Sequence, residues 1–362
     1  MVQYSPERVC EQLSAQRLGP YADRSHGELE EALKLYTWST QMSAAAFETV
    51  AHLEVLLRNA IDRELALYFK ENTRAIPWFL SRPPMNDETS VAIQTVRQRL
   101  RNENRDTRHQ IIAGLSFGFW AGMLGAKYEE LWRACLHKAF PNSSGIRKDV
   151  AREVEAVRKF RNRLAHHDST LNVDIPFEMR RVMRLAEFIS LDAARWLEDV
   201  GRHSDVYTQR PDTGSDTVIV PAKHAWDLYL SDFAYVCQAG RSFRPIDRIA
   251  FYSHREIKSE VPRILHRVDD VPWTDEYAAQ LDKSEIRYDR QIAKVIRASR
   301  NTFWKAGTYQ VFLLSRRGDP EHRALHQPIP HKNKGRGSAF VQKQRYTSLH
   351  ALETATSTDE LT

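Results

Sequence analysis

Val157-Arg158-Lys159-Phe160-Arg161-Asn162-Arg163-Leu164-Ala165-His166-His167-Asp168 decides the reading of this chain. It closes a helix expected over 146–165, whose Arg152, Arg158, Lys159, Arg161 and Arg163 give it a positive face. Arg161 and His166 fit the spacing R-x4-H, about a turn and a half of helix and ~7 Å of rise apart. If the helix ends near Ala165, His166 can swing into the cleft of Arg161, and Asn162 can orient the imidazole or a phosphate oxygen. An arginine and a histidine converging on one cavity are a minimal metal-free phosphodiesterase set. The guanidinium forks onto the phosphate and stabilises the charge of a pentavalent transition state. The imidazole, with an ordinary pKa near ~6.5, moves a proton at neutral pH. The same residues also suit a plain helix C-terminus, with His166 and His167 complementing the dipole.

Outward from this segment the first half reads as helix throughout. Ser5 and Pro6 cap a short helix over 5–17. Residues 27–70 carry Leu29, Leu33, Tyr36, Ala44, Phe47, Val50, Leu53, Leu57 and Ile61 at steps of three and four, so they form one long helix or two. Prolines break the chain over 71–84. Further helices are expected over 86–104, 111–124, 128–140 and 176–200, the second of these containing an aromatic cluster, Phe117-Gly118-Phe119-Trp120. No period-two strand appears before residue 200.

Residues 201–216 are polar and rich in turn formers, and read as a linker. Strand-like runs follow at Thr217-Val218-Ile219-Val220, at Arg248-Ile249-Ala250-Phe251-Tyr252 and at Tyr309-Gln310-Val311-Phe312-Leu313-Leu314. Helical patterns lie between them at 223–239 and 283–299. The expected organisation is therefore a helical domain over 1–200, the linker, a separate α+β accessory domain over 217–353, and a frayed tail over 354–362.

The arginine–histidine segment resembles a known motif. Arg161-Asn162-Arg163-Leu164-Ala165-His166 is similar to the R-N-x-x-x-H form found in HEPN ribonucleases. Three more segments, in the family's order, resemble Abi-like (abortive infection) proteins. His52-Leu53-Glu54-Val55-Leu56-Leu57-Arg58-Asn59-Ala60 is similar to their H-x-E-x-x-L-R-N stretch. Phe117-Gly118-Phe119-Trp120 is similar to their G-F-W, and Leu131-Trp132-Arg133 with Ala139-Phe140-Pro141 to their L-W...F-P. The resemblance covers roughly residues 5–200.

It implies an all-α HEPN bundle working as a homodimer, with two R-x4-H motifs facing across the cleft. The implied activity is metal-independent endonucleolytic cleavage of RNA, needing no cofactor. The 2′-hydroxyl attacks the adjacent phosphate and leaves a 2′,3′-cyclic phosphate and a 5′-hydroxyl. His166 acts as general base or acid, and Arg161 holds the scissile phosphate. RNA is the implied partner, with a regulatory small RNA or a phage-derived trigger as a further one. Arg158, Arg163 and His167 are expected to support the pair or bind RNA. Glu54, Arg58 and Asn59 have two readings: groups that orient Arg161 or His166, or an i,i+4 surface pair of Glu54 with Arg58 worth a few tenths of a kcal/mol.

Composition bounds these readings without choosing among them. The 362 residues carry 53 Lys+Arg against 47 Asp+Glu, a formal charge of +6, which permits a phosphate-bearing partner but does not require one. Cys10, Cys135 and Cys237 are far apart and form no C-x-x-C pair, which argues against a zinc knuckle or a disulfide framework and suits a cytoplasmic protein. No apolar run approaches a membrane span, and the N-terminus lacks the pattern of a signal peptide.

In the second half, Pro245-Ile246-Asp247 with Glu256-Ile257-Lys258 superficially matches a PD-(D/E)xK nuclease, but the gap is short for its strands. His322, His326 and His331 could hold a metal only if a proline-containing segment folded around it; a solvent-exposed loop and no metal site is the expectation. Lys332, Lys334 and Arg336 in a glycine-containing loop, with Lys343 and Arg345, suit a phosphate backbone. A non-catalytic HEPN module that binds a structured RNA or a partner protein, in a defence or toxin–antitoxin system, is the alternative function. A nucleotidyl-transferring toxin partner is weaker, because no GxxxxGK[ST] loop is present.

Overall fold

The computed structural model describes residues 4–25, 27–70, 76–80, 87–211, 216–300, 302–332 and 340–361. The described helices of the first half are α1 (Pro6–Leu13), α2 (Ala15–Arg24), α3 (Leu29–Tyr68), α4 (Asp87–Asn102), α5 (Arg108–Gly114), α6 (Phe117–Gly122), α7 (Glu129–Ala134), α8 (Arg147–Ala165), α9 (Ile175–Ile189), α10 (Leu191–Val200) and α11 (His203–Thr208). The second half holds β1 (Thr217–Pro221), α12 (Ala225–Asp232), β2 (Ala234–Gln238), β3 (Arg248–Ser253), β4 (Glu256–Ile257), β5 (Glu260–Val261), β6 (Ile264–Pro272), α13 (Asp275–Leu281), α14 (Arg287–Ser299), β7 (Thr308–Leu314), β8 (Arg323–Ala324), β9 (Ile329–Pro330), β10 (Arg345–Thr347) and α15 (Leu349–Thr354).

The chain divides into two compact units. A helical unit takes Thr37–Thr170 and Ile175–Arg210, and a sheet-containing unit takes Met1–Tyr36, Leu171–Asp174 and Pro211–Thr362. The opening helices α1 and α2 thus group with the second half, where the sequence placed them in the first. The segment read as a linker is helical at α11 and packs within the helical unit, where Trp38 Nε1 donates to the Val206 carbonyl at 2.8 Å. Residues 212–215 of that segment lie outside the described residues.

α3, which belongs to the helical unit from Thr37 onward, is unbroken because its 40 residues hold neither glycine nor proline. Its buried face runs through Met42, Ala46, Val50, Leu53, Leu57, Ile61 and Leu65, the period of an amphipathic helix. Ala44, expected in that stripe, points to solvent. Asp62 on α3 clamps the break that follows: Arg108 forks onto its carboxylate at 2.9 and 3.0 Å, and Trp78 Nε1 donates to it at 2.7 Å. α8 buries Val150, Val154, Val157, Phe160 and Leu164.

Three single helices expected from the sequence are each two helices, and serine causes each split. Ser14, Ser116 and Ser190 accept the backbone N–H three residues on, at 3.4, 3.2 and 3.3 Å. Each hydroxyl starts a new helix by satisfying an otherwise orphaned donor. The expected helix over 128–140 is also shorter, passing from α7 into a 3-10 turn at Leu136–Ala139.

The sheet unit is built on a five-stranded sheet of order β10-β1-β3-β4-β9 and a three-stranded sheet of order β2-β7-β6. β1 and β3 run parallel, with Thr217 opposite Arg248 and Pro221 opposite Tyr252. Both faces of these strands are covered, which is why they read as continuous apolar runs. Val218, Val220, Ile249 and Phe251 meet Phe312 and Leu314 in one core, while Ile219 and Ala250 face a second with Ile257, Leu352 and Leu361. On the far side of β7, Val311 and Leu313 pack with Trp273, Ile292 and Ile296 of α14.

The expected helix over 223–239 is α12 followed by β2. Phe233 switches the backbone with φ 52 and ψ 45, a left-handed turn that no glycine announces. The expected frayed tail is instead packed: Thr358 and Leu361 are buried, and Thr358 Oγ1 lies 2.8 Å from His331 Nδ1. Leu361 is the apolar anchor that outweighs the polar composition around it.

Candidate functional site

The R-x4-H segment lies at the C-terminal end of α8, inside the helical unit. His166 is the helix cap, with φ −89 and ψ 7. His167 follows at φ 55, donates to the Leu164 carbonyl at 3.1 Å, and leaves Asp168 to donate to Arg163 at 3.1 Å. Those two bonds make a Schellman stop, a motif that normally places glycine where His167 stands. Backbone hydrogen bonds therefore fix the point at which the His166 imidazole leaves the helix. Both imidazoles are exposed, and neither has a side-chain partner among the described residues.

Arg161 sits one and a half turns earlier on another side of α8. Its guanidinium lies over the Phe47 ring at 5.7 Å, and its Nε is 3.5 Å from Glu54 Oε2. That nitrogen is buried without a hydrogen bond, so the contact with Glu54 is one of charge rather than of aligned donor and acceptor. Arg161 donates to no protein acceptor among the described residues, which leaves its fork available. The ion pair joins the two segments that carried the sequence reading, H-x-E-x-x-L-R-N on α3 and R-N-x-x-x-H on α8. Glu54 is paired with Arg161 and not with Arg58, so the i,i+4 surface pair expected as one of its two readings is not formed.

Other expected site residues gather less tightly. Arg58 donates weakly to the Ala113 carbonyl at 3.5 Å, and its Nε is buried without a hydrogen bond. Asn59 is exposed and Asn162 half-buried, neither with a side-chain partner among the described residues. Arg158 is committed to Glu155 at 2.7 and 2.8 Å, which holds that carboxyl below the usual carboxylate range and raises the guanidinium. Arg163 is exposed and unpaired among the described residues, so it adds its full charge to the end of α8. Five residues along an ideal helix turn about 140°, and no hydrogen bond links Arg161 to His166. Within one chain the guanidinium faces α3 while the imidazole faces solvent. Phe47 was not singled out as a site residue; its position seven residues before Glu54, on the same side of α3, was the available signal.

The second-half candidates fare differently. Lys334 and Arg336 lie outside the described residues. Lys332 and Lys343 are exposed, and Arg345 lies over the Phe340 ring at 4.4 Å. The histidines are not an exposed loop. His322 Nε2 is 2.6 Å from Glu260 and its Nδ1 3.3 Å from Ser315, while His331 is buried against Thr358. Pairing with a buried carboxylate and a hydroxyl makes them framework groups, and only His326 is exposed. Among the described residues no three His, Cys, Asp or Glu side chains gather to hold a metal ion. Lys258 pairs with Glu256 on its own strand end at 2.6 Å. No described helix is long and apolar enough to cross a membrane. No protein-family model, curated protein or solved structure matches the chain.

Proposed function

We propose that the helical unit is a HEPN-type, metal-independent endoribonuclease that acts in abortive infection, with Arg161 and His166 as its catalytic pair. The observation that carries this reading is the Glu54–Arg161 contact at 3.5 Å. It couples two separately quoted motif segments at one place, and such coupling is what an orienting carboxylate for a phosphate-binding arginine requires. Arg161 forks onto the scissile phosphate and stabilises the charge that builds in the transition state. His166 takes or gives the proton of the 2′-hydroxyl or 5′-oxygen. Asn162 and the unpaired Arg163 add polar and cationic contacts along the RNA, which positions the chain without reading sequence.

The divergence of Arg161 and His166 around α8 supports a composite site, in which one copy supplies the arginine and a second copy the histidine. The solvent-facing residues Ala44, Ala51 and Val55 on α3 flank Phe47 and offer a small, apolar face for that second copy.

The test is cleavage of a labelled RNA in the presence of EDTA. Arg161→Ala and His166→Ala each abolish it while circular dichroism stays unchanged. Mixing the two inactive variants restores part of the activity, because one composite site per mixed dimer is intact. Full activity in both single variants ends the nuclease reading. The pairing of Arg161 with an acid also favours a second reading, a module that binds structured RNA without cutting it. That reading gives RNA retention without product, weakening steeply as salt rises.

A further inference from the structure

The sheet unit holds a cavity of about 210 Å³ between the C-terminal end of α12, the end of β7 and one face of α14. Its apolar lining is made by Phe233, Leu265, Val295 and Leu314. Its wall is cationic. Arg287, Gln291 and Lys294 occur at steps of four and three on α14 and so share one stripe that lines it. Across from them stands Arg316.

The charges do not cancel. Arg316 is met by Asp319, whose carboxylate lies 3.7 Å from its Nε and accepts its backbone N–H at 2.9 Å. Asp232 accepts the Ser231 hydroxyl at 2.7 Å. Arg287 and Lys294 have no acidic partner among the described residues. The lining carries three cations, Arg287, Lys294 and Arg316, against two carboxylates, Asp232 and Asp319, and the positive charge left over lies on α14 at Arg287 and Lys294, where an anionic group is held. Phe233 adds an independent sign: a phenylalanine held at φ 52 in the wall of the cavity. Its carbonyl accepts the Leu314 N–H at 2.8 Å, so β7 holds the strained turn in place. Backbone strain of this kind concentrates at ligand sites.

We infer that this cavity binds a phosphate monoester carried on a small hydroxylated body, such as a sugar phosphate. A monoester carries about −1.5 to −2 at neutral pH, which suits the Arg287–Lys294 pair better than the single charge of a phosphodiester. Asp232 and Asp319 lie off the α14 stripe, so the phosphate belongs at Arg287 and Lys294 while the two carboxylates accept hydroxyl hydrogens of the carrier. The volume is below the roughly 300–1,000 Å³ of drug-sized pockets, so a sugar phosphate fits and a dinucleotide does not. The site lies in the sheet unit and stands whether or not the helical unit cuts RNA.

The experiment uses the full chain, with ribose 5-phosphate, inorganic phosphate, ribose and an unphosphorylated-end RNA oligonucleotide as probes in calorimetric titration. Ribose 5-phosphate binds more tightly than inorganic phosphate, and ribose does not bind. The double variant Arg287→Gln/Lys294→Gln weakens ribose 5-phosphate at least tenfold. Both residues are exposed, and an unchanged melting temperature without ligand verifies the fold of the variant. In the wild type, ribose 5-phosphate protects Lys294 from acylation in a mass-spectrometric footprint, which tests the site without any variant. The inference is overturned if no phosphorylated probe binds at millimolar concentration, if the double variant binds as the wild type does, if the oligonucleotide displaces ribose 5-phosphate, if inorganic phosphate alone accounts for the affinity, or if Lys294 is not protected.

Discussion

Glu54 Oε2 stands 3.5 Å from Arg161 Nε, yet that nitrogen makes no hydrogen bond. A charge contact not yet tightened into a bond is common in catalytic groups before substrate arrives. If Glu54 orients Arg161, Glu54→Gln keeps the shape and removes the charge. Cleavage then falls about 10- to 100-fold, the range for a group that acts through another. The loss appears in kcat rather than KM, and the melting temperature moves little. An equal rate in Glu54→Gln would show that the pair is merely structural.

Asp62 holds α3 to the segment after it through the Arg108 fork and Trp78. Asp62→Ala removes the carboxylate that accepts two guanidinium bonds from Arg108 and the indole N–H of Trp78. The expected cost is ~2–3 kcal/mol, read as a lower urea midpoint. Asp62→Asn, which keeps one acceptor, loses less.

His167 occupies the left-handed position of the α8 stop. Glycine there relieves the backbone strain but loses more chain entropy on folding. The balance favours His167→Gly by about 0.5–1 kcal/mol, measurable as a rise in the urea midpoint. If the helical unit cuts RNA as proposed, cleavage changes by no more than a few-fold, because His166 remains at the cap.

Cys135 and Cys237 are buried, and burial pushes each thiol up to about 12. The thiolate is the reactive form. In the native protein a thiol reagent should therefore react quickly with the half-buried Cys10 alone, and with the other two only after denaturation. Rapid titration of three thiols in the folded chain would contradict the packing around Cys135 and Cys237.

Burial lowers the pKa of His203 and of His266, the latter stacked on the Tyr288 ring at 4.6 Å. Below their ordinary pKa near ~6.5 the unfolded chain binds protons that the folded chain does not. Stability from these two groups is therefore complete above that pH and declines as the pH falls through it. The melting temperature should drop between pH 7 and pH 5, and His203→Gln with His266→Gln should flatten part of that slope.

What the sequence revealed depended on how each segment is buried. β1, β3 and β7 were legible because covering both faces leaves unbroken apolar runs, as in Val218-Ile219-Val220 and Val311-Phe312-Leu313-Leu314. β2 was hidden, because the apolar pattern of Leu228 to Leu230 resumes at Phe233 after only Ser231 and Asp232, and no glycine or proline marks the turn there. The Ser14, Ser116 and Ser190 breaks carried a signal that helical periodicity overrode. The place where Glu54 and Arg161 meet was suggested by quoted motif segments, but the part played by Phe47 was not. His322 and His331 were misread because a proline-containing loop gives no sign of the distant Glu260 and Thr358 that cover them.

Residues Leu171–Asp174 lie in sequence between two stretches of the helical unit but belong to the sheet unit. Asp174, buried, takes a forked pair of bonds from Arg267 at 3.1 and 2.9 Å and the Phe243 N–H at 2.7 Å, while Asn172 accepts from Arg24 at 2.6 Å. The sheet unit thus draws residues from both halves of the sequence, and scission near residue 210 would not yield two whole pieces. The C-terminal fragment would keep a sequestered Arg267 with Asp269 but without its other counter-ion, and would lack α1 and α2 as well. Dissecting this protein by expression of halves would therefore report on damaged parts, whereas point substitutions in the intact chain interrogate each unit as it stands.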